Sequence, residues 1–285
     1  MKAYVCALAK NEHLYINEWV AHYVKLGFDK IYIYDNDDLN VRPSYKYIDS
    51  AYNKYVVIVD IRGKHYDNIQ GKMYSEFYNL HKNDFDWCLF CDIDEFLTGI
   101  DNIKTFLSRS YFRNFEQIRV KWKLFGDDNL IERDMSKSVM ETFNKEITSS
   151  LRWDLKRKST LEKQGKSIVR GHLSNIIFNS VHFANRINNT MLFSCLSSGK
   201  VCHSGVAITE DYSKESLFLN HYMTKSLSEF IKQKVGRGDA VFGKRQINMD
   251  YYWRINTKTK KKIEYLKNLG LDINWYFFSV HLIYN

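Results

Sequence analysis

Two acidic residues stand one position apart at the end of an apolar stretch. Asp92 and Asp94, followed directly by Glu95, close a run of strand length that begins at Trp87. Alternate side chains of an extended chain point to the same side, so both aspartates can face one cation. Carboxylate oxygens suit hard ions such as Mg²⁺ or Mn²⁺, which often bind substrate phosphates as well. The simpler interpretation, a strand end or a helix cap, leaves three acids beside a buried strand unexplained.

Strands and helices alternate through the first hundred residues. Apolar runs predict strands at 2–9, 30–34 and 56–61 and in the segment from Trp87, and helical spacing predicts helices at 15–26 and 70–81. This order is typical of a parallel α/β sheet, in which ligands bind beyond the carboxyl ends of the strands. Polar clusters follow three strands and should meet in one crevice; they are Lys10 to Glu12, Asp35 to Asn36 and Asp92 to Asp94.

The second half of the chain has a weaker pattern. It predicts a helix at 103–107, strands at 115–125, 166–170 and 181–183, an amphipathic helix at 226–235 and an aromatic packing cluster at 275–278. A single proline and 13 glycines leave no low-complexity linker. We therefore expect one main domain at 1–240 and a basic, aromatic extension at 241–285 that packs on it.

Composition and charge narrow the class of protein. The net charge is +9, with the excess of Lys and Arg mostly in the C-terminal half. A basic surface attracts nucleic acid, anionic membranes and nucleotide diphosphates alike. The sequence has no run of about 18 apolar residues, and its N-terminal apolar segment is too short for a signal peptide, which favours a cytoplasmic protein. The five cysteines are expected to be reduced core thiols, with Cys88 and Cys91 on opposite faces of their strand.

An ordered set of short motifs gives the chain a family resemblance. The set is Ala9-Lys-Asn-Glu12, Tyr15-Ile-Asn-Glu-Trp19, Tyr32-Ile-Tyr-Asp-Asn36, Asp92-Ile-Asp-Glu-Phe96 and His221-Tyr-Met-Thr-Lys-Ser226. In this order the motifs, which span most of residues 2–240, resemble the bacterial family-2-like glycosyltransferases related to glycosyltransferase family 92. The resemblance implies a GT-A-like, Rossmann-type α/β catalytic domain: a mostly parallel sheet flanked by helices, with an elaborated C-terminal helical part.

The resemblance also implies an activity and a set of site residues. The activity is that of a metal-dependent hexosyltransferase, which moves a sugar from a nucleotide sugar, with UDP favoured, to a capsular polysaccharide, lipopolysaccharide or lipooligosaccharide, with inversion favoured. Asp92, Asp94 and His221 would hold Mn²⁺ or Mg²⁺, with His203 as the alternative histidine. The nucleotide sugar would contact a larger set, namely Ala9, Lys10, Asn11, Glu12, Asp35, Asn36, Gln70, Asp92, Lys225 and Arg237.

Sugar transfer also needs a base that takes the proton of the acceptor hydroxyl. Asp127 and Asp128 together rank above Asp239, and Glu95 is a further possibility because it adjoins the Asp-x-Asp motif. Asp127 and Asp128 are equally typical of a turn, because Gly126 and Asn129 flank them.

Other classes of function stay open. A metal-dependent nucleotidyltransferase also needs paired carboxylates and phosphate-binding cations. Nucleic-acid binding is favoured by charge and by aromatic residues among the lysines of 251–267, although the strand-end acids would repel phosphate. The same fold could also serve as a lectin-like or regulatory module. Finally, Lys258 and Lys260 to Lys262, beside Trp253 and Tyr265, could hold an enzyme near an anionic membrane that carries a lipid-linked acceptor.

Overall fold

The computed structural model describes residues 1–147, 163–235 and 247–271. Its strands are β1 (Ala3–Ala9), β2 (Lys30–Asp35), β3 (Val56–Asp60), β4 (Trp87–Phe90), β5 (Glu95–Thr98), β6 (Gln117–Leu124), β7 (Gly165–Arg170), β8 (Ile176–Ser180), β9 (Phe183–Arg186), β10 (Ser194–Leu196), β11 (Val201–Cys202) and β12 (Phe218–His221). Its α-helices are α1 (Ile16–Lys25), α2 (Ile69–His81), α3 (Ile103–Leu107), α4 (Val139–Thr142), α5 (Leu227–Gln233), α6 (Met249–Trp253) and α7 (Lys260–Asn268).

One mixed sheet forms the centre of the fold. Its strand order is β11-β10-β6-β7-β4-β1-β2-β3, and β12 joins β5 to β6. β1 pairs in parallel with β2 and β4, β2 pairs in parallel with β3, and β6 pairs in parallel with β10 and β12. The structure confirms the predicted α/β class, with a mostly parallel sheet flanked by helices.

Alternate residues of β1 belong to hydrophobic cores on the two faces of the sheet. Val5 packs in one cluster with Trp19 of α1, whereas Cys6 packs in another with Phe77 of α2. This is the period of two expected for a strand that is covered on both faces. The five cysteines are buried and unpaired, and Cys88 and Cys91 lie in different clusters, as the sequence predicts.

Two details of the second half were not predicted from the sequence. The strand expected at 181–183 is instead the turn of a hairpin, because β8 ends at Ser180 and β9 begins at Phe183. In addition, β7 runs antiparallel between β4 and β6, an orientation that the predicted, mostly parallel sheet does not specify. A buried strand has the same apolar pattern in either direction, so the sequence alone does not reveal this insertion.

Residues 247–271 pack against the last helix of the main domain. Leu227 and Phe230 of α5 share a buried cluster with Tyr252, Trp253 and Leu266. The boundary at 240 and the aromatic cluster at 275–278 both lie outside the described residues, so they stay predictions. In the described part of the chain, no helix is long and apolar enough to cross a membrane.

Candidate active site

Helices on both faces of the sheet hold the turn between β4 and β5, which carries the Asp-x-Asp motif. From α1, the indole Nε1 of Trp19 donates to the carbonyl oxygens of Asp92 at 3.1 Å and Glu95 at 2.9 Å. From α2, the hydroxyl of Tyr74 donates to the carbonyl oxygen of Cys91 at 3.0 Å. The motif therefore sits on a backbone that is fixed from two sides.

Asp92 is bound through both carboxylate oxygens. Nζ of Lys166, in β7, lies 3.0 Å from Oδ2, and the amide of Gln70, in α2, donates to Oδ1. The side chain of Lys166 is 1% exposed and that of Asp92 is 31% exposed. Burial acts to raise the pKa of Asp92, but the charge of Lys166, helped by His221 and Gln70, leaves that pKa below its usual value. The predicted nucleotide-sugar residue Gln70 thus contacts the motif itself.

A second lysine neutralises Asp94. Nζ of Lys234, just beyond α5, lies 2.5 Å from Oδ2 and also donates to the carbonyl oxygen of Met223 at 2.7 Å. Nε2 of His221, at the end of β12, lies 3.4 Å from Oδ1. Burial acts to raise the pKa of Asp94, yet Lys234 and His221 hold it well below its usual range. The structure brings Asp94 and His221 together, and their role as metal ligands stays a prediction.

Glu95 is fully buried beside this pair. Its Oε2 accepts the backbone N–H of Asp92 at 3.0 Å, whereas Oε1 has no hydrogen-bond partner among the described residues. Nδ1 of His221 lies 3.9 Å from Oε1. Burial raises the pKa of Glu95 well above its usual value, which favours the protonated form. A protonated carboxyl group cannot take a proton from an acceptor, so Glu95 is a poor candidate for the base.

Lys225 is a buried cation directly before α5. Its Nζ lies 3.9 Å from the centroid of the Tyr15 ring and has no hydrogen-bond acceptor among the described residues. Burial lowers the pKa of Lys225 to about 8, with a further contribution from Lys234, while Glu12 and Asp94 act in the opposite direction. A buried ammonium group without an acceptor is unfavourable, so this position suits an anionic ligand.

The carboxyl ends of β1 and β2 form the next part of the candidate site. The backbone N–H of Asn36 donates to the carbonyl oxygen of Ala9 at 2.8 Å, and Nζ of Lys10 lies 3.1 Å from Oδ1 of Asp38. Oδ2 of Asp35 and Oδ1 of Asn36 are buried and have no hydrogen-bond partner within the described ranges. These two oxygens could accept hydrogen bonds from a ligand.

Asp37, which has no role in the sequence motifs, organises this loop. It accepts the backbone N–H of Asn11 at 2.5 Å through Oδ1 and that of Ser44 at 2.5 Å through Oδ2. The hydroxyl oxygen of Ser44 in turn accepts the backbone N–H of Glu12 at 3.1 Å. The predicted nucleotide-sugar residues after β1 and β2 therefore lie together, and their contact with a nucleotide sugar stays a prediction.

The donor set does not fit a divalent metal ion in this arrangement. All four carboxylate oxygens of Asp92 and Asp94 already contact protein groups, and two of these groups are ammonium ions that repel a cation. Among the described residues, no group of three or more His, Cys, Asp or Glu side chains is placed to hold a metal. His203, the alternative histidine ligand, donates its backbone N–H to Glu210 at 2.8 Å. The metal site at Asp92, Asp94 and His221 stays a prediction that would require both lysines to move.

The two adjacent base candidates have different surroundings. Asp127 is buried, and both the ammonium group of Lys262 and the hydroxyl of Tyr252 bind its Oδ2. These are the contacts of a carboxylate that holds the fold together. Asp128 is only partly buried and accepts the backbone N–H of Asn144 at 3.1 Å. Burial raises the pKa of Asp128, which favours proton uptake.

Several charged residues of this region carry no distinctive sequence signal. Lys166 lies within an apolar strand, and Lys234 lies at the end of an amphipathic helix, as many surface lysines do. The buried guanidinium of Arg133, with Nε 3.0 Å from Oε1 of Glu229, is equally inconspicuous in the sequence. The predicted residues Arg237 and Asp239 lie outside the described residues.

Comparisons with known proteins leave the class of chemistry open. No protein-family model matches the sequence, and no curated protein matches it. Among solved structures, that of S. aureus TarS is similar with a TM-score of 0.34 and 14% identity, over 60% of this chain and 28% of that chain. The matched part is thus less than a third of the TarS chain, and a TM-score this low carries no weight for function. The fold and the site by themselves define an α/β protein with a cluster of charged residues beyond its parallel strands.

Proposed function

We propose that this chain is a glycosyltransferase that binds a nucleotide sugar in the crevice beyond β1, β2 and β4. The observation that carries the proposal is Lys225, a buried cation without an acceptor that lies close enough to the Asp-x-Asp motif to influence Asp94. A diphosphate would supply the acceptors that this ammonium group lacks, through charge-assisted hydrogen bonds.

The same lysine suits the chemistry of sugar transfer. The bond between the anomeric carbon and the diphosphate oxygen breaks, so negative charge grows on the departing diphosphate. A cation that is already in position stabilises this charge in the transition state without further reorganisation. Lys225 is held against Tyr15 and followed by the capped helix α5, so its position is fixed before the substrate binds.

The acceptor hydroxyl must lose a proton as the new glycosidic bond forms. Of the two adjacent candidates, Asp128 is the better base, because its carboxylate is partly accessible and burial raises its pKa. Asp127 is occupied by Lys262 and Tyr252. The family resemblance supports the finer choices, which are a UDP-sugar donor, a surface-glycan acceptor and inversion at the anomeric carbon. The metal dependence that it also implies conflicts with the lysines that contact Asp92 and Asp94.

Product analysis tests the proposed function. The full chain would be incubated with a panel of nucleotide sugars, and the released nucleotide would be measured with and without Mn²⁺. We expect release of the nucleoside diphosphate from at least one donor, and a loss of release in Asp128→Asn with an unchanged melting temperature. Lys260→Met, which removes a 91% exposed side chain from α7, is the control for a change in net charge.

Other products would point to the rival classes. Release of pyrophosphate from a nucleoside triphosphate and a sugar phosphate would identify a nucleotidyltransferase instead. If no nucleotide sugar is turned over and the chain binds DNA or RNA with an affinity that falls steeply with salt, the glycosyltransferase proposal is wrong and a nucleic-acid-binding protein replaces it.

A further inference from the structure

Buried lysines occupy the positions around the Asp-x-Asp motif where a divalent cation would be expected. Mg²⁺ and similar ions usually bridge one or two carboxylates and the phosphates of a substrate. Here Nζ of Lys166 lies 3.0 Å from Asp92, and Nζ of Lys234 lies 2.5 Å from Asp94. Both ammonium groups are almost fully buried, so solvent and salt screen their charges poorly.

Cations already face the carboxylates around the motif. Four carboxylates face four cations; the carboxylates are Asp92, Asp94, Glu12 and Glu229, and the cations are Lys166, Lys225, Lys234 and Arg133. A divalent ion would therefore enter a cluster in which each aspartate already has a cationic partner.

Lys225 differs from the other three cations. Lys166 and Lys234 contact the aspartates, and Arg133 contacts Glu229. The side chain of Lys225 is buried without a hydrogen-bond acceptor in the described structure, and its residue is only 2% exposed. Burial of an ammonium group in this state costs stability, and an anionic ligand that accepts its hydrogen bonds recovers that cost.

We infer that a diphosphate binds directly to Lys225, with the charge of Lys234 beside it, and that this binding needs no divalent cation. Lys166 and Lys234 hold Asp92 and Asp94 in place of a metal ion. The inference rests on the proposed function, because it takes the diphosphate of a nucleotide sugar as the ligand.

Calorimetric titration of the full chain tests this inference directly. The probes are UDP, GDP and inorganic pyrophosphate, each titrated in EDTA and again in Mn²⁺. We expect at least one probe to bind in EDTA with a Kd within about threefold of its value in Mn²⁺. Lys225→Met should weaken that binding by about tenfold or more, which is the usual loss for a hydrogen-bonded charge. Lys260→Met, the same chemical change at an exposed position, should leave it unchanged.

Melting temperatures separate a ligand-binding role of Lys225 from a structural one. Removal of an unpaired buried charge should leave the melting temperature of Lys225→Met equal to or above that of the natural chain. A lysine that merely supports the fold would lower it. Wild-type measurements in EDTA and Mn²⁺ keep the test valid even if the variant does not fold.

Mn²⁺ alone provides a second test. It should not raise the melting temperature of the natural chain, whereas Lys234→Met frees an oxygen of Asp94 and should make the chain respond to Mn²⁺. Stabilisation of the natural chain by Mn²⁺, or diphosphate binding that disappears in EDTA, overturns the inference and leaves the proposed function intact. If none of the three probes binds with or without Mn²⁺, the inference and the proposed function both fail.

Discussion

The carboxylate of Asp35, at the end of β2, is buried and poorly stabilised. The residue has no solvent exposure; its Oδ1 accepts the backbone N–H of Asp37 at 3.0 Å, and its Oδ2 has no hydrogen-bond partner among the described residues. Burial, with the nearby charge of Asp37, raises the pKa of Asp35 to about 6. A carboxylate kept at this cost of stability, at the strand end where ligands bind, fits a role in contacting the nucleoside.

We expect Asp35→Asn to stabilise the fold at pH 8 by about 1–3 kcal/mol. The pKa of Asp35 is about 6 in the folded chain against 3.8 for the free side chain. The free energy of unfolding of the natural chain therefore falls as the pH rises through 6. Asparagine does not ionise, so the gain should vanish near pH 4. Urea unfolding at both pH values measures this, with Asp101→Asn as an exposed control. An equal effect at both pH values would contradict the explanation.

Lys225 should make diphosphate binding sensitive to alkaline pH. Burial and the neighbouring Lys234 lower its pKa to about 8, so the ammonium group is lost as the pH rises from 7 to 9. The Kd for UDP should therefore increase over this range, and Lys225→Met should flatten the dependence. Titrations at pH 7, 8 and 9 check this. A natural chain that binds UDP equally at all three values would exclude Lys225 as the ligand's cation.

Helix α5 positions both Lys225 and Lys234 near Asp94. Lys225 precedes its N-cap residue, Ser226, and Lys234 follows its last residue. Ser226 and Glu229 form a capping box, in which the hydroxyl oxygen of Ser226 accepts the backbone N–H of Glu229 at 3.4 Å and Oε2 of Glu229 accepts that of Ser226 at 3.1 Å. Oε1 of Glu229 accepts the hydroxyl of Tyr15 at 3.0 Å. The start of α5 is thereby tied to the segment before α1.

Ser226→Ala should destabilise the fold by about 1 kcal/mol, the usual cost of a lost N-cap, and should also weaken UDP binding because Lys225 is adjacent. Ser138→Ala is the matched control, because Ser138 and Glu141 form the same capping box at α4. The control should lose stability without losing affinity. Unfolding measurements give the stability of both variants, and calorimetry gives their affinity for UDP. If Ser138→Ala loses as much affinity as Ser226→Ala, the effect is not specific to α5.

The elements that position the site were predictable, and the contacts between them were not. Local periodicity predicts α1, α2 and the strands up to β4, because each buries one face or alternates between two cores. It cannot show that Lys166 reaches Asp92 or that Lys234 reaches Asp94, a partner 140 positions away. Such ion pairs depend on the antiparallel insertion of β7 and on where α5 ends, which only the tertiary fold determines.

At the scale of the whole molecule, residues 247–271 are joined to the main domain by a buried polar cluster as well as by apolar packing. Lys262 is fully buried and pairs with Asp127, whose backbone N–H donates to Oδ1 of Asn256 at 2.8 Å. The prediction that Lys262 faces a membrane is therefore wrong, because its ammonium group points into the protein. Lys258, Lys260 and Lys261 are exposed, and their contact with a membrane stays a prediction.

Removal of Lys262 separates a structural role of Asp127 from a catalytic one. Lys262→Met should lower the free energy of unfolding by about 3–5 kcal/mol, because it leaves a buried carboxylate with Tyr252 as its side-chain partner. The double variant Asp127→Leu/Lys262→Met removes both charges and should recover most of that loss. Urea unfolding measures both variants. If Asp127 only joins the C-terminal segment to the domain, the double variant also keeps its turnover of nucleotide sugars. A stable double variant without turnover would instead identify Asp127 as the base and displace Asp128.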